Sequence, residues 1–169
     1  MIIETLFGPE TAPTSKPKSI RFKTIKAVWD TLTVKEHVSD YIKPLTRFTC
    51  SNEIYNTFHF LSQETKEHFL ALHLDSKNRV ICVDLCSTGS LSASIVHPRE
   101  IFKSALLSSA AAMLFIHNHP GQDPTPSRED MEITTRLREV GELLGIRILD
   151  HIIIAEDSYV SFVDRGLLS

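Results

Sequence analysis

The sequence predicts an α/β fold, in which a mixed central β-sheet is flanked by helices, and three segments carry this prediction. Residues 110–115 form a short apolar run followed by a proline at residue 120, which indicates a buried strand rather than an amphipathic helix. Residues 128–144 repeat apolar side chains at helical spacing. Residues 147–155 are rich in β-branched side chains, which favour a strand.

The size and composition of the chain are those of one globular domain. A chain of 169 residues can bury roughly 70% of its unfolded surface, so its core needs no disulfide bonds or structural metal ions for stability. The mean hydropathy is close to zero, which is typical of a soluble protein. No apolar run is long enough to span a bilayer, and the start lacks the features of a signal peptide. We therefore predict a cytoplasmic protein with no membrane partner.

The charge and the cysteines exclude some classes of function. A net charge of −3 argues against a broadly basic DNA-binding face, because duplex affinity depends on neutralising phosphates. A local basic patch over residues 16–26 stays open. Cys50, Cys82 and Cys86 are odd in number and fit no zinc-ribbon spacing, so we predict reduced, mostly buried thiols.

The first part of the chain predicts few elements. Residues 1–19 combine proline with polar residues and predict a flexible tail, which places the folded domain at residues 20–169. Residues 20–29 alternate loosely and indicate an edge strand. The pattern of residues 33–44 is ambiguous: it fits a loop, with a possible short strand at residues 34–38.

Two helices are predicted before the central strand. Ser51 is a candidate N-cap of the first. Its apolar stripe consists of Ile54, Tyr55, Phe58 and Leu61. Pro98 stands at a first helical position, where its missing N–H costs nothing, and opens a second helix that runs to about residue 109.

Alternating or β-branched residues between turn formers predict the strands. Residues 75–79 are rich in turn formers, so the strands beside them should form a hairpin. For residues 89–95 two alternatives stay open, a second hairpin or an irregular segment that returns to the sheet. The predicted strands cover residues 68–74, 80–85, 112–119, 147–155 and 159–163.

Two histidines and an aspartate are placed where they can meet. His117 and His119 are two positions apart at the end of a predicted strand, so both side chains face the same side of the sheet. A rigid loop over residues 121–126 then leads into the next helix. Ser127 is the candidate N-cap of that helix, which puts Asp130 in its first turn.

Two neutral imidazoles and one carboxylate suit a catalytic zinc ion whose fourth position is left to water. A simpler explanation stands beside this one, because Ser127 and Asp130 also match a capping box, and a His-x-His pair arises by chance. Together with the loop between them, the three side chains favour a site for one Zn²⁺ per chain. Such a ligand set does not strongly exclude iron or manganese.

The stretch formed by residues 117–130 resembles the JAMM motif of the MPN (JAB) metallohydrolases, and in particular their RadC branch. The matching residues are His117, His119, Pro120, Ser127 and Asp130. The likeness is close over residues 67–168 and loose over residues 21–66. It implies a single MPN (JAB)-like domain.

Two departures accompany the resemblance. RadC proteins usually carry serine where Gly121 or Gln122 stands. Longer members also have an N-terminal helix-hairpin-helix module, for which this chain is too short. The domain expected here is therefore the RadC-like MPN domain alone, over residues 20–169.

The resemblance also implies roles for the residues around the ligands. A zinc ion in the site would lower the pKa of a bound water from near 16 to roughly 7. Glu67 begins a strand similar to the one that supplies the general base in the family, and it would pass the water's proton to the departing amine. Ser127 would donate to the oxyanion. Glu64 and Glu53 remain as other candidates for the base.

The remaining histidines have structural explanations. Asp150 could hold the far nitrogen of a ligand imidazole, but we prefer a structural hydrogen bond for Asp150 and the adjacent His151. The others are expected on the polar surface or in satisfied core positions, and they include His37, His59, His73 and His97.

Three functions follow from the resemblance. The first is hydrolysis of a peptide, isopeptide or related amide bond, with a protein or peptide as substrate. The second is a DNA repair or recombination accessory, which the acidic net charge does not favour. The third is a non-catalytic MPN interaction module, which the complete set of metal residues disfavours. The oligomeric state is left open, since the predicted edge strand could pair with another copy.

Overall fold

One mixed sheet of five strands, with helices packed on both faces, makes up the described part of the chain. The computed structural model describes residues 45–89 and 96–168, all within the second of the chain's two compact units, residues 32–169. In chain order the elements are α1 (Ser51–Phe58), the 3-10 turn His59–Gln63, β1 (Glu67–Leu74), β2 (Val80–Gly89), α2 (Pro98–Leu107), β3 (Ala112–Asn118), α3 (Arg128–Leu144), β4 (Arg147–Ile154) and β5 (Tyr159–Ser161).

The strands lie in the order β2-β1-β3-β4-β5, with β3 in the centre. β3 and β4 run parallel, because helix α3 carries the chain back to the starting edge between them. The other neighbouring strands are antiparallel. The predicted α/β fold with a mixed central sheet is therefore confirmed.

Strand alternation divides the core into two layers, one on each face of the sheet. Helix α1 packs on the face that carries Leu70 and Leu72 of β1. Helices α2 and α3 pack on the opposite face, against Phe69 and Ala71 of β1 and Phe115 of β3. Side chains at the C-terminal end of β3 that share the face of Phe115 therefore lie next to helix α3.

Helix α3 begins and ends at the predicted residues. The Ser127 side chain accepts a hydrogen bond from the N–H of Asp130, and the Asp130 carboxylate accepts one from the N–H of Ser127. This capping box satisfies two of the N–H groups that a helix start leaves without partners. Gly145 ends the helix with a φ of 70°, the left-handed conformation that glycine adopts without a Cβ clash.

The prediction that Ser51 caps helix α1 is wrong. The helix begins at Ser51, and Cys50 occupies the N-cap position without a side-chain hydrogen bond. The Ser51 hydroxyl instead donates to the carboxylate of Asp164. The carboxylate of Glu53 accepts a hydrogen bond from the N–H of Thr49 at 2.7 Å. Glu53, in the first turn, thus binds the backbone just before the helix, and the N-cap side chain makes no such contact.

The cysteines are free thiols, as predicted, but they are not mostly buried. Cys50 is exposed, and Cys82 and Cys86 are partly exposed. The last two lie on β2, an edge strand of the sheet, which explains their incomplete burial. Burial still raises the pKa of the Cys86 thiol, so the reactive thiolate form is disfavoured.

Several strands have bounds that differ from the predicted ones, and some predictions concern residues outside the described ranges. β1 begins one residue earlier than predicted, at Glu67, and β2 continues to Gly89. The predicted tail, the strand at residues 20–29, residues 33–44 and nearly all of residues 89–95 lie outside the described residues. Among the helices that the structure describes, none has the length and apolar character needed to cross a membrane.

Candidate metal centre

The two histidines of the motif lie at the C-terminal end of β3. Their Nε2 atoms are 2.9 Å apart. His117 is fully buried, whereas the side chain of His119 is 17% exposed. The predicted alternation therefore directs both imidazoles to one point at the edge of the sheet, where one of them reaches solvent.

Asp130 completes the cluster from the first turn of α3. Its Oδ1 lies 3.2 Å from His117 Nε2, and its Oδ2 lies 3.4 Å from His119 Nε2. One ligand atom from each of the three residues falls within 4.8 Å of the others. Over the described ranges, this is the one cluster of three or more potential ligand side chains with such spacing.

The metal-site and capping explanations of Asp130 do not exclude each other. Its Oδ2 accepts hydrogen bonds from the backbone N–H of Ser127 at 2.7 Å and from the Ser127 hydroxyl at 2.6 Å. Its Oδ1 remains directed at His117. Oδ2 therefore holds the start of the helix and also lies near His119, while Oδ1 faces His117.

The donor set suits a zinc ion. His119 Nδ1 lies 2.7 Å from the backbone oxygen of Asp123, which can only accept, so Nδ1 carries a proton and Nε2 is the nitrogen that would bind a metal. The facing carboxylate supplies the negative charge that a divalent cation needs. The partial exposure of His119 leaves one side open to solvent, as a catalytic site requires.

Burial and the mutual contacts shape the charges in the cluster. Burial by itself would raise the pKa of Asp130, but hydrogen bonds with His117 and His119 hold that pKa well below its usual value. Burial lowers the pKa of His117 despite the attraction of Asp130. For His119 burial acts the same way, but Asp130 and the Asp123 carbonyl outweigh it and raise the pKa. The carboxylate is thus held ionised, as a metal ligand must be.

Glu67 lies on the same face of the sheet as the two histidines. Phe69 pairs with His117 across β1 and β3, and their rings are 6.0 Å apart. Glu67 is two residues before Phe69, so its side chain points to the same face. Its charge is among those that raise the pKa of His117 and of His119.

The other two candidate bases are placed differently. Glu53 binds Thr49 at the start of α1, which packs on the opposite face of the sheet. Glu64 lies 3.6 Å from the imidazole of His68. Strand alternation directs His68 to the face opposite Glu67. Neither glutamate shares the placement of Glu67.

Asn118 was missed by the sequence analysis. It is fully buried between the two histidines, where its Oδ1 accepts from the N–H of His68 at 2.8 Å and its Nδ2 donates to the carbonyl of Lys66 at 3.0 Å. These backbone groups lie on either side of Glu67. The side chain therefore holds the start of β1 against the ligand strand. An asparagine inside an otherwise apolar strand is the signal that could have identified it.

His151 has the expected structural hydrogen bond, from its N–H to Asp150 Oδ1 at 2.7 Å, but its ring also contacts a candidate ligand, which was not predicted. Its Nε2 lies 2.8 Å from His117 Nδ1, and its Nδ1 lies 2.6 Å from Thr134 Oγ1. Asp150 has the expected structural contacts, since it accepts from the Ser161 hydroxyl at 2.6 Å. The sequence alone shows that Thr134 follows Asp130 by one helical turn. The contact between His151 and His117 could not be predicted from the sequence.

The chain matches known proteins over most of its described length. Residues 48–167 match the family described as the RadC-like JAB domain. The chain is 55% identical over 128 residues to the UPF0758 protein of Syntrophotalea carbinolica, covering 75% of this chain and 56% of that protein. With the UPF0758 protein of Geotalea uraniireducens it shares 55% identity over 125 residues, covering 73% of this chain and 55% of the relative. With that of Methanosarcina mazei it shares 47% identity over 127 residues, covering 75% and 56%. The chain thus spans about half the length of these relatives.

Proposed function

Because the chain belongs to the RadC-like JAB domain family, we propose that it is a zinc-dependent metallohydrolase of the JAMM type, which cleaves a peptide, isopeptide or related amide bond. One observation carries the proposal. His117 Nε2, His119 Nε2 and the Asp130 carboxylate lie within 4.8 Å of one another, at a site with an open side.

These three residues would hold the metal. Two imidazoles and one carboxylate leave a fourth position for water or substrate, which distinguishes a catalytic zinc site from a structural one. A bound zinc ion would supply Lewis acidity, which makes a water molecule acidic enough to lose a proton near neutral pH.

Glu67 would act as the general base and then as the general acid. Its place on the face of the two histidines supports this role. It would accept the proton of the attacking water and deliver it to the nitrogen of the departing amine. A proton transfer of this kind contributes about 10²–10⁴-fold to the rate.

Ser127 would orient Asp130 and serve as the hydrogen-bond donor to the developing oxyanion. Its hydroxyl donates to Asp130 Oδ2 and accepts from the Asp130 N–H. Donation to a substrate would therefore require the hydroxyl to turn away from Asp130. In the resting arrangement the contact keeps the carboxylate in one orientation.

A protein or peptide substrate is favoured over nucleic acid. The net charge of −3 provides no general attraction for phosphates.

Metal content and turnover test the proposal together. We expect about one zinc per purified chain by elemental analysis, since three protein ligands form a single site. We also expect cleavage products by mass spectrometry after incubation with a library of peptides and isopeptide-linked peptides. The variant Glu67→Gln should keep the metal and lose turnover. The matched control is Glu129→Gln, an exposed glutamate beside Asp130, which should keep both. A fully active Glu67→Gln would remove this residue as the base, and a chain without bound metal would overturn the proposal.

A further inference from the structure

We infer that His151 and Thr134 position the candidate ligand His117 by fixing which of its ring nitrogens carries the proton. The inference rests on the metal centre of the proposed function and not on hydrolysis. We call this hydrogen-bonded series the relay: it runs from the Asp130 carbonyl through Thr134 and His151 to His117. It begins and ends at residues of the metal cluster.

The relay starts at the backbone of α3. Thr134 Oγ1 lies 2.6 Å from the carbonyl oxygen of Asp130, one helical turn earlier. A carbonyl oxygen can only accept, so the single hydroxyl proton of Thr134 is donated there. Threonine commonly makes this bond to the preceding turn within a helix.

The next contact determines the proton of His151. Thr134 Oγ1 is also 2.6 Å from His151 Nδ1. Because the hydroxyl proton is already used, the oxygen acts as acceptor and Nδ1 must donate. The ring of His151 is enclosed by Phe69, Phe115 and Phe162, with centroids 5.4, 6.1 and 4.7 Å away. A neutral imidazole with its proton on Nδ1 has an unprotonated Nε2.

The last contact transfers this choice to His117. His151 Nε2 lies 2.8 Å from His117 Nδ1, and as an acceptor it requires a proton on that nitrogen. His117 Nε2 is then the nitrogen that would bind the metal. His119 reaches the same state by a different route, through the backbone oxygen of Asp123 at 2.7 Å. Each ligand imidazole is thus oriented by an acceptor at its far nitrogen.

The fold shelters the relay from water. His151 is fully buried, and Thr134 is 2% exposed. β4 runs beside β3 with His151 paired to Phe115, which places the two imidazoles on one face of the sheet. Water therefore cannot readily replace a missing partner, and removal of the Thr134 hydroxyl should leave the tautomer of His151 undetermined.

The variant Thr134→Val tests the relay, because it keeps the shape of the side chain and removes the hydroxyl. We expect the Zn²⁺ affinity, measured by competition with a chromophoric chelator, to fall about 10- to 100-fold, as for the loss of other groups that orient metal ligands. Thr134→Ser, which keeps the hydroxyl, should restore most of the affinity. The matched control is Thr135→Val, since Thr135 Oγ1 makes the same kind of bond to the Met131 carbonyl at 2.9 Å but is exposed. That variant should bind zinc like the unmodified chain.

Imidazole ¹⁵N NMR of the unmodified, metal-free chain supplies a second readout that no folding defect can affect. We expect His117 and His151 to be protonated at Nδ1. A His117 ring without a proton on Nδ1, or a proton on Nε2 of His151, would overturn the inference, as would unchanged zinc affinity in folded Thr134→Val. If zinc binds and the relay holds but no amide is cleaved, the proposed hydrolysis fails and the inference stands. If the chain binds no zinc, the proposed function fails and the NMR result alone decides the relay.

Discussion

Asn118 accepts a hydrogen bond from the backbone N–H of His68 at 2.8 Å, and this contact ties the strand of the candidate ligands to the strand of the candidate base. The same amide donates to the carbonyl of Lys66 at 3.0 Å. It spans the peptide groups around Glu67. The distance between the candidate base Glu67 and the candidate metal position therefore depends on Asn118.

Replacement of Asn118 by alanine should separate metal binding from catalysis. We expect Asn118→Ala to keep its zinc and to lose most of its turnover, because Glu67 is no longer held beside the site. The N–H of His68 and the carbonyl of Lys66 are partly exposed, so the loss of their side-chain partner should cost about 0.5–1.5 kcal/mol each in the free energy of unfolding. Elemental analysis, peptide cleavage and urea unfolding measure the three effects. Asn56→Ala, at an exposed position of α1, is the control, and loss of zinc in Asn118→Ala would contradict the assigned role.

Asp130→Asn should distinguish the ligand from the helix cap. The amide keeps an oxygen that can accept from the N–H of Ser127, so the helix start should persist in the metal-free chain, while the lost ionic hydrogen bonds to His117 and His119 lower its stability. The negative charge facing the imidazoles is removed, so we expect the bound zinc to be lost. The measurements are metal content and urea unfolding in the presence of a chelator. If the Asp130→Asn chain still bound one zinc ion per chain, the carboxylate would serve only as a helix cap.

The buried His73 should make the protein less stable in mild acid. Its Nδ1 lies 2.8 Å from Ser108 Oγ, while its Nε2 has no hydrogen-bond partner among the described residues. Burial lowers the pKa of His73 below 6.5, although the charge of Asp84 opposes the shift. Between the lowered pKa and 6.5 the unfolded chain binds more protons, so the free energy of unfolding falls as the pH falls through this window.

The variant His73→Leu removes this titrating group. Its free energy of unfolding should decline less than that of the unmodified chain from about pH 7.5 to about pH 5.5, as measured by urea unfolding in chelator. Two parallel pH profiles would show that His73 does not contribute to the acid sensitivity.

The chain should not bind duplex DNA at physiological salt. Its net charge is −3, and phosphate neutralisation by lysine and arginine supplies most of the affinity in DNA complexes. A gel-shift titration with a duplex of mixed sequence should show free DNA throughout. A retarded band that persists at physiological salt would instead favour a nucleic-acid function for the site.

Local patterns predicted the candidate metal site because its three residues are close in sequence. His117 and His119 are related by strand alternation, and Asp130 is reached through one short loop and a capping box. Helix α3 was predicted with its observed bounds, since a cap residue and Gly145 mark its two ends. The start of α1 was predicted incorrectly, because Ser51 donates to Asp164, far along the chain. Such a contact leaves no local trace.

The sequence by itself determined the cluster of candidate ligands, the strand and helix that carry it, and the fold class, since each follows from periodicity and capping within a few residues. Only the tertiary structure decided what surrounds the ligands. His151 reaches His117 because β4 pairs with β3 in parallel register, and Asn118 reaches the backbone around Glu67 because β1 pairs with β3 on the other side. Strand register depends on how distant segments pack together, so these partners become visible only when the sheet is assembled.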